Sequence, residues 1–346
     1  IFVQNDPLAI VASADSVFDS KGVLASGRLS QSWGDGITMG SDVRVSTQDA
    51  QTEDFSLEYQ YYNDDIEFSA SAQYVTSNSS GFDSTVATDV SVPFIDVDFT
   101  GSLPQISSDD AHLQDVANYR WAFSMDQQYE READMYALQA DTKFFLENDV
   151  FRAVKVGARY TASSADNADT EYNWSPLAPS WLGLVSGDPT PTQDDVNLNT
   201  FTNFFGGDVA DPSSVYAPVV SYALNYPESY NELQNKFTYN DWDSWGIWNQ
   251  RNLTDDQWTN NQSEETLALY AMVEFEFEDL SYPISGNVGA RYVNTKNEAH
   301  GFLTYANNEF FGAGAYESID AENDYSNVLP SLNIKMELSE SLLLRF

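Results

Sequence analysis

Apolar and polar residues alternate over long stretches of the chain. In 54–62, Phe, Leu and Tyr occupy every second position with Ser, Glu and Gln between them, and the same period returns over 65–76. The pair Asn63-Asp64 between these stretches is typical of a turn. Because a period of two places successive side chains on opposite faces of a strand, the pattern predicts a hairpin of long strands with a tight connection.

Three further hairpins follow with the same period. Strands are predicted over 132–146 and 153–163, over 264–278 and 284–296, and from 327–338 to the end. The sequence Val-Gly-Ala-Arg-Tyr occurs twice, at 156–160 and at 288–292. Residues 1–50 are less regular, and only 37–39 and 43–46 are predicted as strand pieces.

The connections are short inside the hairpins and long between them. Long loops are predicted at about 77–126, 162–263 and 294–327, and structureless segments of such length are uncommon inside compact domains. Short turns at one rim and long loops at the other are typical of a bacterial outer-membrane barrel. Alternation also fits a β-sandwich with one solvated face. Strands of about ten residues, as a tilted membrane strand needs, and aromatic residues near the strand ends favour the barrel.

The predicted fold class is therefore all-β, a partial antiparallel transmembrane β-barrel with short periplasmic turns and long extracellular loops, in one domain over 1–346. The alternation assigns opposite faces to two sets of side chains. The set predicted to face lipid is Leu57, Tyr59, Phe68, Leu138, Val156, Leu269, Val273, Val288 and Ile334. The set predicted to face a wet lumen is Glu58, Glu67, Asp141, Arg159, Glu274, Arg291 and Lys335.

Charge and composition narrow the classes of partner. The 346 residues carry a formal net charge of −39, which argues against a nucleic-acid partner and disfavours anionic ligands at the predicted loops. Strong acidity with few aromatic residues indicates disorder, but aromatic residues make up 14% here, so a folded chain is expected. With no cysteine, and with His112 and His300 far apart, neither a disulfide framework nor a metal site is predicted, and no cofactor is expected.

The two ends of the chain carry their own signals. No stretch approaches the roughly 18 consecutive apolar residues of a transmembrane helix, and no basic segment followed by an apolar one marks a signal peptide at the start. The chain begins with Ile1, and its last residues, 342–346, have the composition of a strand. We expect the chain to be an internal fragment of a longer protein.

Two strand segments are distinctive, namely Gly-Asn-Val-Gly-Ala-Arg-Tyr-Val at 286–293 and Tyr-Ser-Asn-Val-Leu-Pro-Ser-Leu-Asn-Ile-Lys at 325–335. They resemble the barrel strands of TonB-dependent outer-membrane receptors, and most closely the subgroup associated with the uptake of oligosaccharides and other large substrates. The Leu-Pro-Ser-Leu-Asn run after a tyrosine is the more distinctive feature. The resemblance extends from about Asp54 to the end, with the long loops unmatched.

The resemblance implies a barrel of about twenty-two strands with an amino-terminal plug, located in the bacterial outer membrane. Such a receptor imports a scarce nutrient with energy passed from the inner membrane through TonB. Its partners are outer-membrane lipid, the TonB system and an extracellular small-molecule or oligosaccharide ligand. This chain departs from the pattern, because no plug, TonB-contacting segment or closing strand is recognisable in it, so energy coupling is expected only of a longer parent.

No catalytic arrangement is predicted, and the chain is not expected to be an enzyme. With 54 carboxylates, acidic pairs such as Asp255 and Asp256 are expected by chance and are interpreted as solvated surface. The acidic runs at 166–171 and 320–324 lack the glycine and the spacing of a calcium-binding loop.

The predicted loop 162–263 holds six of the eight tryptophans. Aromatic faces beside carboxylates suit sugars, whose C–H faces stack on rings while their hydroxyls form hydrogen bonds, and binding residues tend to lie on loops. The alternative is that these rings form the loop's own small core. The candidate substrate-binding residues are Trp242, Trp245, Trp248, Asp241, Asp243, Trp174 and Trp181.

The leading hypothesis is a transport receptor that binds a neutral or cationic nutrient at its loops, and an oligosaccharide suits this best. A β-sheet surface adhesin or sugar-binding module is a second possibility. A third is a secreted carbohydrate-active enzyme with two carboxylates as acid and base. An upstream plug and signal peptide in the parent gene distinguish the receptor from both.

Overall fold

A computed structural model of the chain describes residues 2–4, 10–32, 36–178, 189–237, 248–305, 315–339 and 341–346. Strands account for 65% of the structure and helices for 9%, and the strands pair mostly in the antiparallel sense. The predicted all-β antiparallel class is thereby confirmed. Within the described residues, no helix combines the length and apolar character needed to cross a membrane.

Ten strands form the largest sheet. They are β1 (Phe2–Gln4), β5 (Ile37–Tyr62), β6 (Ile66–Val92), β9 (Tyr119–Phe145), β10 (Phe151–Asp169), β11 (Asn173–Pro176), β14 (Thr259–Phe277), β15 (Ile284–Thr304), β16 (Tyr316–Ser339) and β17 (Leu342–Arg345). Their order is β1-β5-β6-β9-β10-β14-β15-β16-β17, with β11 also paired to β9. Neighbours in sequence are thus neighbours in the sheet, as the hairpin pattern predicts.

Two smaller sheets and a few short helices complete the fold. A five-stranded sheet contains β2 (Ile10–Ala12), β3 (Val17–Phe18), β4 (Leu24–Gln31), β7 (Ile95–Asp98) and β8 (Gln105–Ser107), and a two-stranded sheet pairs β12 (Val196–Asn199) with β13 (Val215–Pro218). The α-helices are α1 (Asp110–Leu113), α2 (Ser221–Leu224) and α3 (Glu228–Lys236). Short 3₁₀ segments occupy Val116–Asn118, Phe204–Gly207 and Asp256–Trp258.

The chain divides into two units. The first consists of Ile1–Thr47, Gly81–Gln128 and Thr170–Arg251, and the second of Gln48–Ser80, Tyr129–Asp169 and Asn252–Phe346. They are called the loop unit and the sheet unit below. The predicted segments 54–76 and 264–292 both belong to the sheet unit.

All seven predicted strands are present, and each is longer than the alternation indicates. The ranges 77–126, 162–263 and 294–327 were expected to be loops, but β6 continues to Val92, β9 begins at Tyr119 and β16 begins at Tyr316. The loop boundaries are corrected accordingly to 93–118, 170–258 and 305–315. At the start of β16 most positions are polar, so the backbone ladder continues there without an apolar period to reveal it. In the outer parts of β6 and β9, apolar residues such as Val90 and Trp121 are buried in the loop unit instead.

The register of the sheet unit separates the two predicted sets of side chains. Val154 pairs with Val273, Val273 with Val288, and Val288 with Leu332, which forms one apolar row across four strands. On the other face, Arg159 pairs with Gln139 and Ala268, and Arg291 pairs with Tyr270. Tyr59 meets Phe68 on the apolar side, with ring centroids 6.2 Å apart. The predicted separation onto opposite faces is confirmed.

Burial in the sheet unit is inverted relative to an ordinary soluble sheet. Its buried residues are Ala137, Asp141, Ala153, Ala268 and Thr295, and by the register all of them lie on the polar face. On the apolar face Leu57 is 73% exposed, Val328 66% and Leu332 58%. The large apolar side chains of the sheet unit are thus exposed, while its few buried residues lie on the polar face.

The loop unit has a conventional apolar core. One cluster joins Ile37, Val90 and Val92 of the long strands to Leu113 and Tyr119. A second cluster contains Val86, Trp121, Leu177, Tyr230, Leu233 and Trp248. Helix α3 contributes Tyr230 and Leu233, which are three residues apart and so lie on one helical face. The described part of 170–258 is therefore a packed structure that closes over strand residues.

Strand β16 carries a proline, Pro330, opposite Ala290. Ile334 exchanges both backbone hydrogen bonds with Phe346, at 3.1 and 2.9 Å, so its N–H and C=O point toward β17. Because alternate residues of a strand point to the same edge, the nitrogen of Pro330 faces that edge as well. Among the described residues, β17 pairs with β16 only from Lys335 onward, so β16 has a strand neighbour on one side alone over most of its length.

Candidate functional site

The structure describes two of the seven predicted substrate-binding residues. Trp174 lies on β11, and Trp248 lies just before Asn249 at the end of the loop unit. The candidates Trp181, Asp241, Trp242, Asp243 and Trp245 lie outside the described residues. The placement of aromatic rings in the described part of the long loop can therefore be judged from Trp174, Trp248 and the tyrosines around them.

Trp248 is buried and belongs to the second core cluster. Its ring makes edge contacts with Tyr230, at a centroid distance of 5.2 Å, and with Tyr226, at 5.9 Å. Its side chain is only 5% exposed, so in this structure its face is covered by other rings. Trp174 is half-buried and tilted against Phe123 at 6.1 Å. Of the two, Trp174 retains some accessible surface.

The polar end of Trp248 meets a buried carboxylate that sequence reasoning missed. The indole Nε1 of Trp248 donates to Asp126 at 2.6 Å, the hydroxyl of Tyr226 donates to it at 3.1 Å, and the Nδ2 of Asn173 donates at 3.1 Å. These donors come from three separate segments of the chain. Asp126 is one of 54 carboxylates and sits in an alternating strand, so nothing in the sequence distinguishes it.

Burial sets the electrostatics of this cluster. It raises the pKa of Asp126 above its ordinary value, and the hydrogen bonds from Trp248, Tyr226 and Asn173 only partly oppose the shift. The pKa of Tyr226 is raised as well, by burial and then by the adjacent Asp126 charge. Arg251 is half-buried, and loss of solvent lowers its pKa, while the charge of Asp126 opposes that change. The Asp126 carboxyl group is thus held away from water by three donors, with a guanidinium nearby.

Further hydrogen bonds fix the segment that follows Trp248. Asn173 donates to the carbonyl of Asn249 at 2.9 Å, and Arg251 donates to the carbonyl of Thr170 at 2.6 Å. Together with the contact to Asp126, they attach 248–251 to the strand residues below it. We call the group Asp126, Asn173, Tyr226, Trp248 and Arg251 the loop anchor. Its contacts are structural, since the hydrogen bonds of Asp126, Trp248, Asn173 and Arg251 given above all join segments of the protein.

The sheet unit has open cavities on its charged face. One of about 580 Å³ is lined by residues of five strands, including Ser77, Met135, Ser163, Glu264 and Asn297. Hydroxyl, amide and carboxylate groups that are not packed in a core are the groups that bind sugar hydroxyls. On the same face, Lys143 and Glu274 form an ion pair at 2.7 Å.

The described residues contain no group of three histidine or acidic side chains arranged to hold a metal ion. The acidic runs at 166–171 and 320–324 consequently carry no metal-site argument. What the sheet unit presents is a surface divided between an apolar face and a polar, cavity-bearing face. Compared with known proteins, the chain matches no protein-family model, and no curated protein is similar to it.

Proposed function

We propose that the chain is part of an outer-membrane transport receptor that binds and imports a scarce nutrient, with an oligosaccharide as the substrate class. The observation that carries the proposal is the outward apolar face of the sheet unit. Soluble monomers rarely expose a contiguous apolar patch above roughly 300–600 Å². Here Leu57, Leu138, Leu269, Val288 and Leu332, one from each of five strands, are all between 47% and 73% exposed.

The dimensions of that face suit a lipid bilayer. The apolar stretch of β9 runs from Tyr136 to Phe145, ten residues or about 33 Å along the strand. A tilt of about 40° reduces this to about 25 Å along the membrane normal, which is the height of the apolar band on outer-membrane barrels. Under the proposal the strands continue beyond the band into the aqueous region.

Aromatic side chains border the band at both ends, as an interfacial girdle requires. Toward the long connections, Tyr74 stacks on Tyr136 with centroids 4.7 Å apart and lies 6.5 Å from Phe55. Toward the tight turns, Phe275 lies 5.8 Å from Phe277. Tyr and Trp are enriched at membrane–water interfaces because one end of the ring is apolar and the other polar.

The remaining parts of the proposal follow from the resemblance to TonB-dependent receptors. They are location in the bacterial outer membrane, contact with lipid, and coupling to TonB through a plug in a longer parent. The open cavities, which include hydroxyl, amide and carboxylate groups, and the aromatic-rich segment 170–258 support an extracellular sugar ligand. No catalytic role is proposed.

The absence of cysteine makes the membrane part directly testable, because single cysteines can be introduced and labelled without background. Val288 and Asn287 are adjacent on β15 and lie on opposite faces. We expect a fluorophore at Val288→Cys to be quenched by brominated lipid in reconstituted vesicles and one at Asn287→Cys to be protected. Equal quenching at both positions, or none at either, contradicts the receptor and favours the adhesin or the secreted enzyme.

The ligand part requires a separate measurement. We expect the double variant Trp242→Ala/Trp245→Ala to weaken binding of neutral oligosaccharides to the intact protein, since each lost stacking ring contributes roughly 1 kcal/mol. Trp258→Phe serves as the control, because Trp258 ends the 3₁₀ segment before β14 and is not among the candidate residues. A double variant that assembles and binds every transported sugar as well as the parent contradicts the assignment of those rings.

A further inference from the structure

The repeated sequence Val-Gly-Ala-Arg-Tyr places two arginines on the same side of the sheet unit. Arg159 lies on β10 and Arg291 on β15, with β14 between them. Arg159 pairs with Ala268, and Arg291 pairs with Tyr270, two residues further along β14. The Cα atoms of the two arginines are therefore about 12 Å apart, which is the distance given by two strand spacings and two residues along a strand. Extended arginine side chains can reach toward each other across this distance.

Both arginines line one open cavity on the polar face. The cavity has a volume of about 490 Å³, and its walls include Gln139, Tyr270, Met272 and Ser331. It therefore combines two guanidinium groups with an aromatic ring, an amide and a hydroxyl. The placement follows from the repeat, because arginine occupies the same phase of the alternation in both copies.

The charge of these arginines is not neutralised within the described part of the chain. Arg159 has one hydrogen bond, to the Oε1 of Gln139 at 3.5 Å, and both guanidiniums are exposed. By contrast, Lys143 on the same face is paired with Glu274 at 2.7 Å, and Arg152 is paired with Glu276 and Glu278. The chain has 54 acidic and only 15 basic residues, so two unpaired arginines in one cavity are unusual for it.

A buried carboxylate orients one of the two guanidiniums. Gln139 donates through Nε2 to Asp141 at 2.7 Å, which turns its Oε1 toward Arg159. Gly157 makes room for this arrangement, because a Cβ there would come within 2.5 Å of the Oδ1 of Asp141 and of the Tyr270 ring. The amide thus holds Arg159 beside the cavity while Asp141 remains covered.

We propose that Arg159 and Arg291 form a binding site for a carboxylate group on an oligosaccharide, that is, for an acidic sugar such as a uronate. The sugar part of this inference rests on the proposed receptor function. Guanidinium is matched to carboxylate in geometry and charge, and the ring of Tyr270 between the two arginines offers a face to a sugar. The net negative charge of the chain disfavours anions at a distance, but that repulsion is screened beyond about 8 Å at physiological ionic strength.

The test measures binding to the full chain, reconstituted in detergent, with three probes. Trigalacturonate carries both sugar and carboxylate, succinate carries carboxylate alone, and a neutral galactose trimer carries sugar alone. The variants are Arg159→Gln and Arg291→Gln, and Arg152→Gln is the matched control because Arg152 does not line the cavity. We expect each cavity variant to weaken trigalacturonate binding about tenfold, Arg152→Gln to leave it unchanged, and added salt to weaken it.

The outcomes separate this inference from the receptor function on which it rests. Arginine-dependent binding of succinate with no binding of either sugar supports the carboxylate site and contradicts the oligosaccharide assignment. Equal binding of the neutral and acidic trimers, unaffected by the arginine variants, overturns the carboxylate site and leaves the oligosaccharide assignment standing. No arginine-dependent binding of any carboxylate probe also overturns the site. Since both arginines are exposed, we expect the variants to fold, and circular dichroism checks their folding. Arg159→Lys is a second variant at the same position, which keeps the positive charge.

Discussion

Placing a charge on the apolar face of the sheet unit is the most direct test of the lipid-facing assignment. Val273 lies six residues after Leu267 and four before Phe277, near the middle of the apolar stretch of β14. Its neighbours in the same row are Val154 and Val288. At about 3.3 Å per residue, the nearer end of the stretch is about 13 Å away along the strand, so an arginine at 273 has little access to water.

We expect Val273→Arg to destabilise the protein in a membrane by about 2–4 kcal/mol, the cost of arginine near the midplane of a barrel's lipid face. Two variants separate the causes. Val273→Ala removes apolar surface without adding charge and is expected to cost about 1 kcal/mol or less. Met272→Arg places the same charge one residue away on the polar face, where repulsion from Arg159 and Arg291 in the same cavity is expected to cost about 1 kcal/mol or less.

The measurement is the free energy of unfolding by guanidinium chloride from lipid vesicles, followed by tryptophan emission of the intact protein. The reasoning is refuted if Val273→Arg costs no more than Met272→Arg, since both faces are then equally wet. A large cost for both variants also refutes it, because the face that carries Met272 is assigned to a water-filled lumen.

Three further predictions concern the loop anchor and the sheet packing. Because burial raises the pKa of Asp126, the folded state binds this proton more tightly than the unfolded state does. The loop unit should therefore lose stability as pH rises through that pKa. Asp126→Asn should remove this part of the pH dependence, which hydrogen exchange at Trp248 measures. Trp248→Phe leaves the buried Asp126 without its 2.6 Å donor and should cost about 1–3 kcal/mol in thermal unfolding, with Trp174→Phe as the smaller-effect control. Gly157→Ala should lower the free energy of unfolding by about 1–3 kcal/mol, because a Cβ at this position would lie 2.5 Å from its neighbours. Gly301→Ala should leave the stability almost unchanged, because the nearest atom to its Cβ would be 3.5 Å away. Similar melting temperatures for the two variants would contradict this packing.

The sequence predicts the strands where the two faces differ in polarity and fails where they do not. Tyr136 to Phe145 alternates clearly, and its strand was identified. Asp320 to Ser326 is polar at nearly every position, and there the strand is maintained by backbone pairing with β15, for which side chains give no signal. The long loops were therefore overestimated in length, while the order of the hairpins was correct.

The candidate site shows a different limit. Rings that stack on a sugar and rings that form a small core are the same residue types, so the sequence could not tell whether Trp248 faces ligand or Tyr230. Asp126 gave no signal because its role depends on donors that are distant in sequence. Arg159 and Arg291 were visible as a repeat, but only the register places them around one cavity.

Pro330 has a consequence for how the protein avoids unwanted self-association. A long strand with one free edge is a template on which a foreign strand can add, and such addition is the first step of many aggregates. Proline has no N–H, so at the edge where its nitrogen points it breaks the row of donors that an incoming strand needs. The missing N–H of Pro330 does not weaken the pairing of β16 with β15, because those hydrogen bonds are formed at the opposite edge of β16. Within the described residues, the edge of β16 that β17 leaves uncovered therefore offers an incoming strand an interrupted row of donors.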